Sequence, residues 1–216
     1  MTDREKGLFI TFEGGEGSGK STQIQLLKTY FENKGKSVIM TREPGGSQGG
    51  EEIRNLLLKG GTDRWDKKTE MLLFTAARRD HLVKKILPAL KEGKIILSDR
   101  FQDSTIAYQC FGYGFDENIY NDAKFLYKFI AGHFNPDITI VLDIDPKIGL
   151  NRSLKRAGND EQRFENMDLS FHENIRKAFL TLADNEPDRF IVVDANQPIE
   201  SIHNEIILKL KEKIND

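Results

Sequence analysis

The sequence predicts an α/β domain with a central parallel sheet of about five strands and helices on both faces. Three observations point there. Five short apolar, β-rich runs recur: Leu8–Phe12, Val38–Met40, Ile95–Leu97, Ile138–Leu142 and Phe190–Val193. Stretches with helical apolar spacing separate them, and parallel strands need such crossovers. A glycine-rich segment, Gly14–Ser21, joins the first run to the first helical stretch. At 216 residues, positions 1–216 are read as a single domain.

The elements follow in order. Ile24, Leu27 and Phe31 mark one face of a helix that Gly35 ends. A glycine-bearing loop, Pro44–Gly50, precedes a short helix that carries Arg54. Met71, Phe74 and Arg78 share a face of a helix near residues 67–87, disturbed and closed by Pro88 and Gly93. Ile199, Ile202, Ile206 and Leu210 stripe a last helix that opens at Pro198, a favoured first-turn residue.

Charge and cysteine content exclude several classes. The balance of 32 basic against 34 acidic residues argues against a domain built mainly to hold a nucleic-acid backbone. Cys110 stands alone, so an intramolecular disulfide and a cysteine-based zinc site are both excluded. The charged N-terminus does not read as a signal peptide, and no apolar run approaches the ~20 residues of a membrane span. The chain is expected in the cytoplasm, with no membrane and no nucleic acid as partner.

Gly14-Gly15-Glu16-Gly17-Ser18-Gly19-Lys20-Ser21 fits G-x-x-x-x-G-K-[ST] between a strand and a helix. Glycines let successive backbone N–H groups surround a phosphate, and the helix N-terminus adds partial positive charge. Lys20 is placed to reach the β- and γ-phosphates and Ser21 to ligate Mg²⁺. Glu16 would repel polyphosphate, so it is expected either to bind Mg²⁺ or to accept a hydrogen bond from a sugar hydroxyl. The N-K-x-D motif of GTPases is missing, because Asn33-Lys34 runs into Gly35-Lys36. Lys20 also occupies the last glycine position of a dinucleotide-binding motif.

Asp99 and Arg100 follow the third run, and ligands bind beyond the C-terminal ends of parallel strands. Arg100 suits a fork on an acceptor phosphate. Asp99 would orient that arginine or a metal-bound water. This pair argues for a kinase of a phosphorylated acceptor over a module that holds ATP without turnover.

The phosphate loop from Phe12 to Thr22, Thr41-Arg42-Glu43-Pro44-Gly45-Gly46, Asp99-Arg100-Phe101, Leu73–Arg79 and Asp194–Pro198 together resemble bacterial thymidylate kinases. The resemblance implies a three-layer P-loop NTPase fold, ATP and dTMP as substrates, Mg²⁺ as cofactor, and a homodimer. It implies Phe74 stacked on thymine, Arg78 bonded to its carbonyl edge, and Thr105 and Gln109 as further base contacts. It sets Tyr108 near the sugar 2′ carbon and Arg54 beside Arg100 on the acceptor phosphate. Members with an arginine in the phosphate loop carry it where this chain has Gly17. The resemblance therefore implies that a lid, residues 151–165, supplies the transition-state arginine, either Arg156 or Arg163. Arg152 is implied to lie near adenine.

Overall fold

The computed structural model describes residues 7–155 and 163–214. Five strands, β1 (Leu8–Glu13), β2 (Val38–Arg42), β3 (Ile95–Asp99), β4 (Ile138–Asp143) and β5 (Phe190–Asp194), form one sheet in the order β2-β3-β1-β4-β5. All four neighbouring pairs are parallel. From β1 the chain goes first to the edge strand β2, returns to β3 beside β1, and then crosses to β4 and β5 on the other side. Ligands bind in the crevice above such a switch point.

Nine α-helical segments are described: α1 (Lys20–Asn33), α2 (Gln48–Leu58), α3 (Lys67–His81), α4 (Leu87–Lys91), α5 (Gln102–Thr105), α6 (Glu117–Ala131), α7 (Pro146–Leu154), α8 (Leu169–Asn185) and α9 (Ile199–Ile214). The period-2 alternation of strands sorts the core into two faces. Ile10, Phe12, Ile95, Leu97, Ile140 and Leu142 pack beneath α1 and α9 through Leu27, Phe31 and Ile206. On the other face Phe9 and Ile96 meet Leu82 and Ile86, while Val141 and Phe190 meet Phe171, Ile175 and Phe179 of α8. The result is the expected three layers. Among the described residues no helix is long and apolar enough to cross a membrane.

Every strand outruns its apolar run by one or two residues and ends on a charge: Glu13, Arg42, Asp99, Asp143 and Asp194. The ladder continues there, with Asp99 in register with both Phe12 and Arg42. Apolar composition marks only the part of a strand buried on both faces. The C-terminal edge is polar because the site opens above it.

Two segments widen from the α to the i→i+5 pattern, Leu82–Ile86 and Ile106–Gly112. Pro88 lies just beyond the first, has no N–H to donate, and disrupts the regular ladder before it. The expected helix near 67–87 thus continues through the wide turn to Lys91. The second wide turn carries Tyr108 and Gln109.

Candidate active site

Gly14–Gly19 turns the chain from β1 into α1, with Gly19 in the left-handed conformation at the helix start. Lys20 Nζ donates to the carbonyls of Gly14 and Gly15, 3.1 Å each. The ammonium is thus curled over the loop that would cradle phosphate, and burial together with the neighbouring Arg100 lowers its pKa. At Gly17 φ is +66°, and a Cβ there would stand 2.0 Å from the Gly149 carbonyl oxygen. Helix α7 presses on the loop so closely that no side chain fits. This is the steric reason the loop lacks an arginine.

Arg100 is the centre of a hydrogen-bonded cluster beside the glycine loop. Its Nη2 donates to Glu16 Oε1 at 2.7 Å, and its Nη1 to Gly14 O at 3.0 Å and Ser104 Oγ at 3.1 Å. Its guanidinium lies over the Tyr108 ring, 4.8 Å from the centroid. The backbone of Arg100 has φ +69°, a conformation that favours glycine. Three bonds hold it there: Arg100 N–H to Phe12 O, Ser98 Oγ–H to Arg100 O, and Phe101 N–H to Glu13 Oε1. They hold a non-glycine residue in that conformation with its guanidinium on Glu16 and Gly14.

Glu16 Oε1 also accepts the Tyr108 hydroxyl at 2.7 Å. Burial pushes the Glu16 carboxyl up, but Arg100, Lys20 and Tyr108 outweigh it and hold it down at about 2. Glu16 is therefore a fixed anion that aims Arg100 and Tyr108. The bulk of Tyr108 is not its whole contribution, because its hydroxyl belongs to this network.

Glu13, which the sequence reading did not single out, is fully buried and accepts Phe101 N–H at 2.8 Å and Ser104 Oγ–H at 2.5 Å. Burial and nearby Asp103 push its carboxyl up to about 8, against the pull of Arg100 and these two bonds. The folded state therefore binds a proton that the unfolded chain releases near the ordinary 4.5. Stability present below that value is lost as pH rises through about 8. The thermal midpoint is expected to fall from pH 6 to pH 9 more steeply in the parent than in Glu13→Gln. Parallel slopes in melts across that range would contradict the assignment.

Arg78 of α3 is nearly spent. It gives Nε to Glu43 Oε2 (2.7 Å), Nη1 to Gln102 Oε1 (2.7 Å) and Thr105 Oγ1 (3.0 Å), and Nη2 to the Phe101 carbonyl (3.1 Å). A guanidinium has five N–H donors, so one on Nη2 remains for a ligand. Thr105 thus holds Arg78 as well as lining the cavity. Glu43, whose other oxygen lies 2.9 Å from His81 Nδ1, fixes the arginine. Phe74 faces Phe164 at 6.3 Å between ring centroids. Arg54 Nη1 donates to the Pro44 carbonyl at 2.8 Å.

One cavity of about 350 Å³ is lined by Glu16, Lys20, Ser21, Arg54, Phe74, Arg78, Asp99, Arg100, Thr105, Tyr108 and Gln109. Residues far apart in sequence, some expected here from the motif and the strand ends and others from the resemblance, thus converge. A second cavity of about 300 Å³ lies on the other side of the loop, between Gly17, Gly19 and Thr22 and the β5–α9 connection at Ala195, Gln197 and Pro198. Arg152 spans it, donating to the Ala195 carbonyl at 3.2 Å. Ser21 Oγ lies 3.4 Å from Asp99 Oδ2. Ser21 therefore adjoins Asp99, while Glu16, the other expected metal ligand, is engaged with Arg100 and Tyr108.

The lid expectation needs correction at Arg163. Its side chain is 0% exposed and paired with Glu70, and it donates to the carbonyls of Leu57, Gly61 and Thr62. With its donors so occupied it is not presented to the phosphate loop. A polar setting in the sequence did not reveal the buried acid waiting for it on α3. Arg156, the other candidate, lies outside the described residues.

A family profile described as Thymidylate kinase matches residues 12–206. The thymidylate kinase of Magnetococcus marinus is 49% identical over 197 residues, 91% of this chain and 92% of the relative. That of Bacillus anthracis is 43% identical over 210 residues, 97% and 99% of the two chains. A crystal structure of thymidylate kinase from Ehrlichia chaffeensis superposes with a TM-score of 0.74 at 36% identity, covering 94% of this chain and 98% of that one. Matched over most of its length in both sequence and fold, this chain belongs to the thymidylate kinase family.

Proposed function

We propose that the chain transfers the γ-phosphoryl group of ATP to dTMP, forming ADP and dTDP by direct in-line displacement. The observation that carries this is one cavity lined by phosphate-loop residues together with Phe74, Arg78 and Gln109, with Arg54 and Arg100 also among its walls. The acceptor is already a phosphate anion, so no strong general base is required. The obstacle is repulsion between two anions, and Lys20, Arg54 and Arg100 offset it in a site partly closed to water.

The donor set also fits Mg²⁺. Ser21 hydroxyl and Asp99 carboxylate are hard oxygen donors, and Mg²⁺ on nucleotides uses one or two such groups together with phosphate oxygens. Bound there, the ion would neutralise charge on the β- and γ-phosphates. Arg152 and the Ala195–Pro198 connection border the space assigned to adenine.

Arg78 offers its remaining N–H to a thymine carbonyl, whereas cytosine would present an amino group to it. Tyr108, 5% exposed and bonded to Glu16, leaves little room for a ribose 2′-hydroxyl. Values of kcat/KM for dTMP, dUMP and UMP should fall in that order. Equal values for dUMP and UMP would remove Tyr108 from sugar reading.

A homodimer fits the surface. Phe125 and Phe129, 70% and 79% exposed, stand one turn apart on α6, and Leu72 of α3 is also exposed. Sedimentation at micromolar chain should report twice the 24.7 kDa chain mass. A monomer throughout that range would refute the pairing.

A further inference from the structure

We infer that Glu70 and Arg163 are positioning residues that hold the Gln109 amide with its oxygen toward the acceptor base, and so help the site choose thymine over cytosine. This rests on the reading above that the cavity takes dTMP with its base against Gln109.

The argument starts from the chemistry of an amide. Its two ends have nearly the same shape, but one donates and the other accepts. The end that faces a base therefore decides what is read. Thymine carries an N–H at N3, and cytosine carries a lone pair there. Gln109 is 1% exposed and lines the cavity. Its Nε2 donates to Glu70 Oε1 at 2.8 Å, which leaves Oε1 as the end available to a ligand.

Glu70 sets that orientation because a carboxylate paired with a guanidinium only accepts. Its other oxygen takes Arg163 Nη1. Arg163 in turn is pinned by the Gly61 carbonyl at 3.0 Å, Thr62 at 3.0 Å and Leu57 at 3.3 Å. Turning the Gln109 amide over would press its oxygen against Glu70 and strand a buried acceptor. The buried ion pair thus has a role in the site beyond joining the segment before α8 to α3. It keeps an acceptor aimed at N3–H, where cytosine would meet it lone pair to lone pair.

The test is the ratio of kcat/KM for dTMP to that for dCMP in the parent and in Gln109→Leu, Glu70→Gln and Arg163→Lys, each with a thermal melt. Gln109→Leu should lower the ratio by about tenfold or more, the scale on which a lost polar reading contact shows. Glu70→Gln, isosteric but able to present either amide end, should lower it by a similar factor. Arg163→Lys, which cannot reproduce the fork, should lower it in the same direction and decides the matter if Glu70→Gln does not fold. A ratio lowered by Gln109→Leu but left at the parent value in the other two would overturn the positioning role. A ratio unchanged even in Gln109→Leu would instead reject the base contact on which the inference rests, and the inference with it.

Discussion

Lys20→Ala should lose on the order of 10³-fold in kcat while its thermal midpoint stays within a few degrees of the parent, because its ammonium serves the ligand rather than the core. The Lys20 ammonium rests on the Gly14 and Gly15 carbonyls at the mouth of the cavity. Once it is removed, water can reach those carbonyls, so little folding energy is lost. The developing charge on the transferred group, by contrast, loses its nearest cation. Steady-state rates beside a melt separate the two effects. Turnover within tenfold of the parent would show that the ammonium is not used in the transition state.

Arg100→Ala should be damaging in two ways at once. The acceptor phosphate loses its fork, and Glu16 is left a partly buried anion without its guanidinium. Breaking such a pair from one side costs about 3 kcal/mol of stability, so the midpoint should drop as well as kcat/KM for dTMP. Arg100→Lys separates the contributions. A lysine can still pair with Glu16 but cannot also reach the Gly14 carbonyl and Ser104 as the guanidinium does. It should recover most of the stability and little of the kcat/KM. Full recovery of both would mean that charge alone matters at this position. The left-handed backbone at Arg100 adds a further check. Arg100→Gly should relieve that strain and so destabilise less than alanine does, while losing catalysis to the same extent.

Much of the fold was legible because its signals are local. Each apolar run became a strand, and the Gly14–Ser21 motif sits between β1 and α1 as its chemistry requires. The charged ends of the strands were harder to see, since Glu13, Asp99 and Asp143 continue a ladder that composition alone does not extend. The site residues read from the motif and the resemblance converge on one cavity. What escaped the sequence is the buried acid behind each cation or amide. Glu13 stands behind the Ser104 hydroxyl that holds Arg100, Glu43 behind Arg78, and Glu70 behind Gln109 and Arg163. A carboxylate that will be buried against a distant arginine looks in sequence like any solvated charge. Its partner lies 35 residues away for Glu43 and 93 for Glu70. No period or spacing carries that information. The same blindness left Arg163 beside Arg156 as a candidate for the phosphates, although its pairing with Glu70 commits it elsewhere.

Glu13 offered one weak signal, an acid at the end of a mostly apolar strand directly before the phosphate loop. Phe164 offered another, a lone aromatic at the edge of a polar stretch. It now faces Phe74 and the edge of Tyr108 across the cavity wall. Gly17 could be read as an omission, but only the contact with Gly149 explains why the omission is enforced.

The central claim is that both nucleotides occupy the cavities beside one phosphate loop and that phosphate passes directly between them. Chromatography of a reaction containing ATP, Mg²⁺ and dTMP tests it most directly. The account predicts that ADP and dTDP appear in equal amounts, and that neither forms appreciably when dTMP is left out. ADP released while dTMP remains unchanged, or another monophosphate consumed in its place, would contradict it.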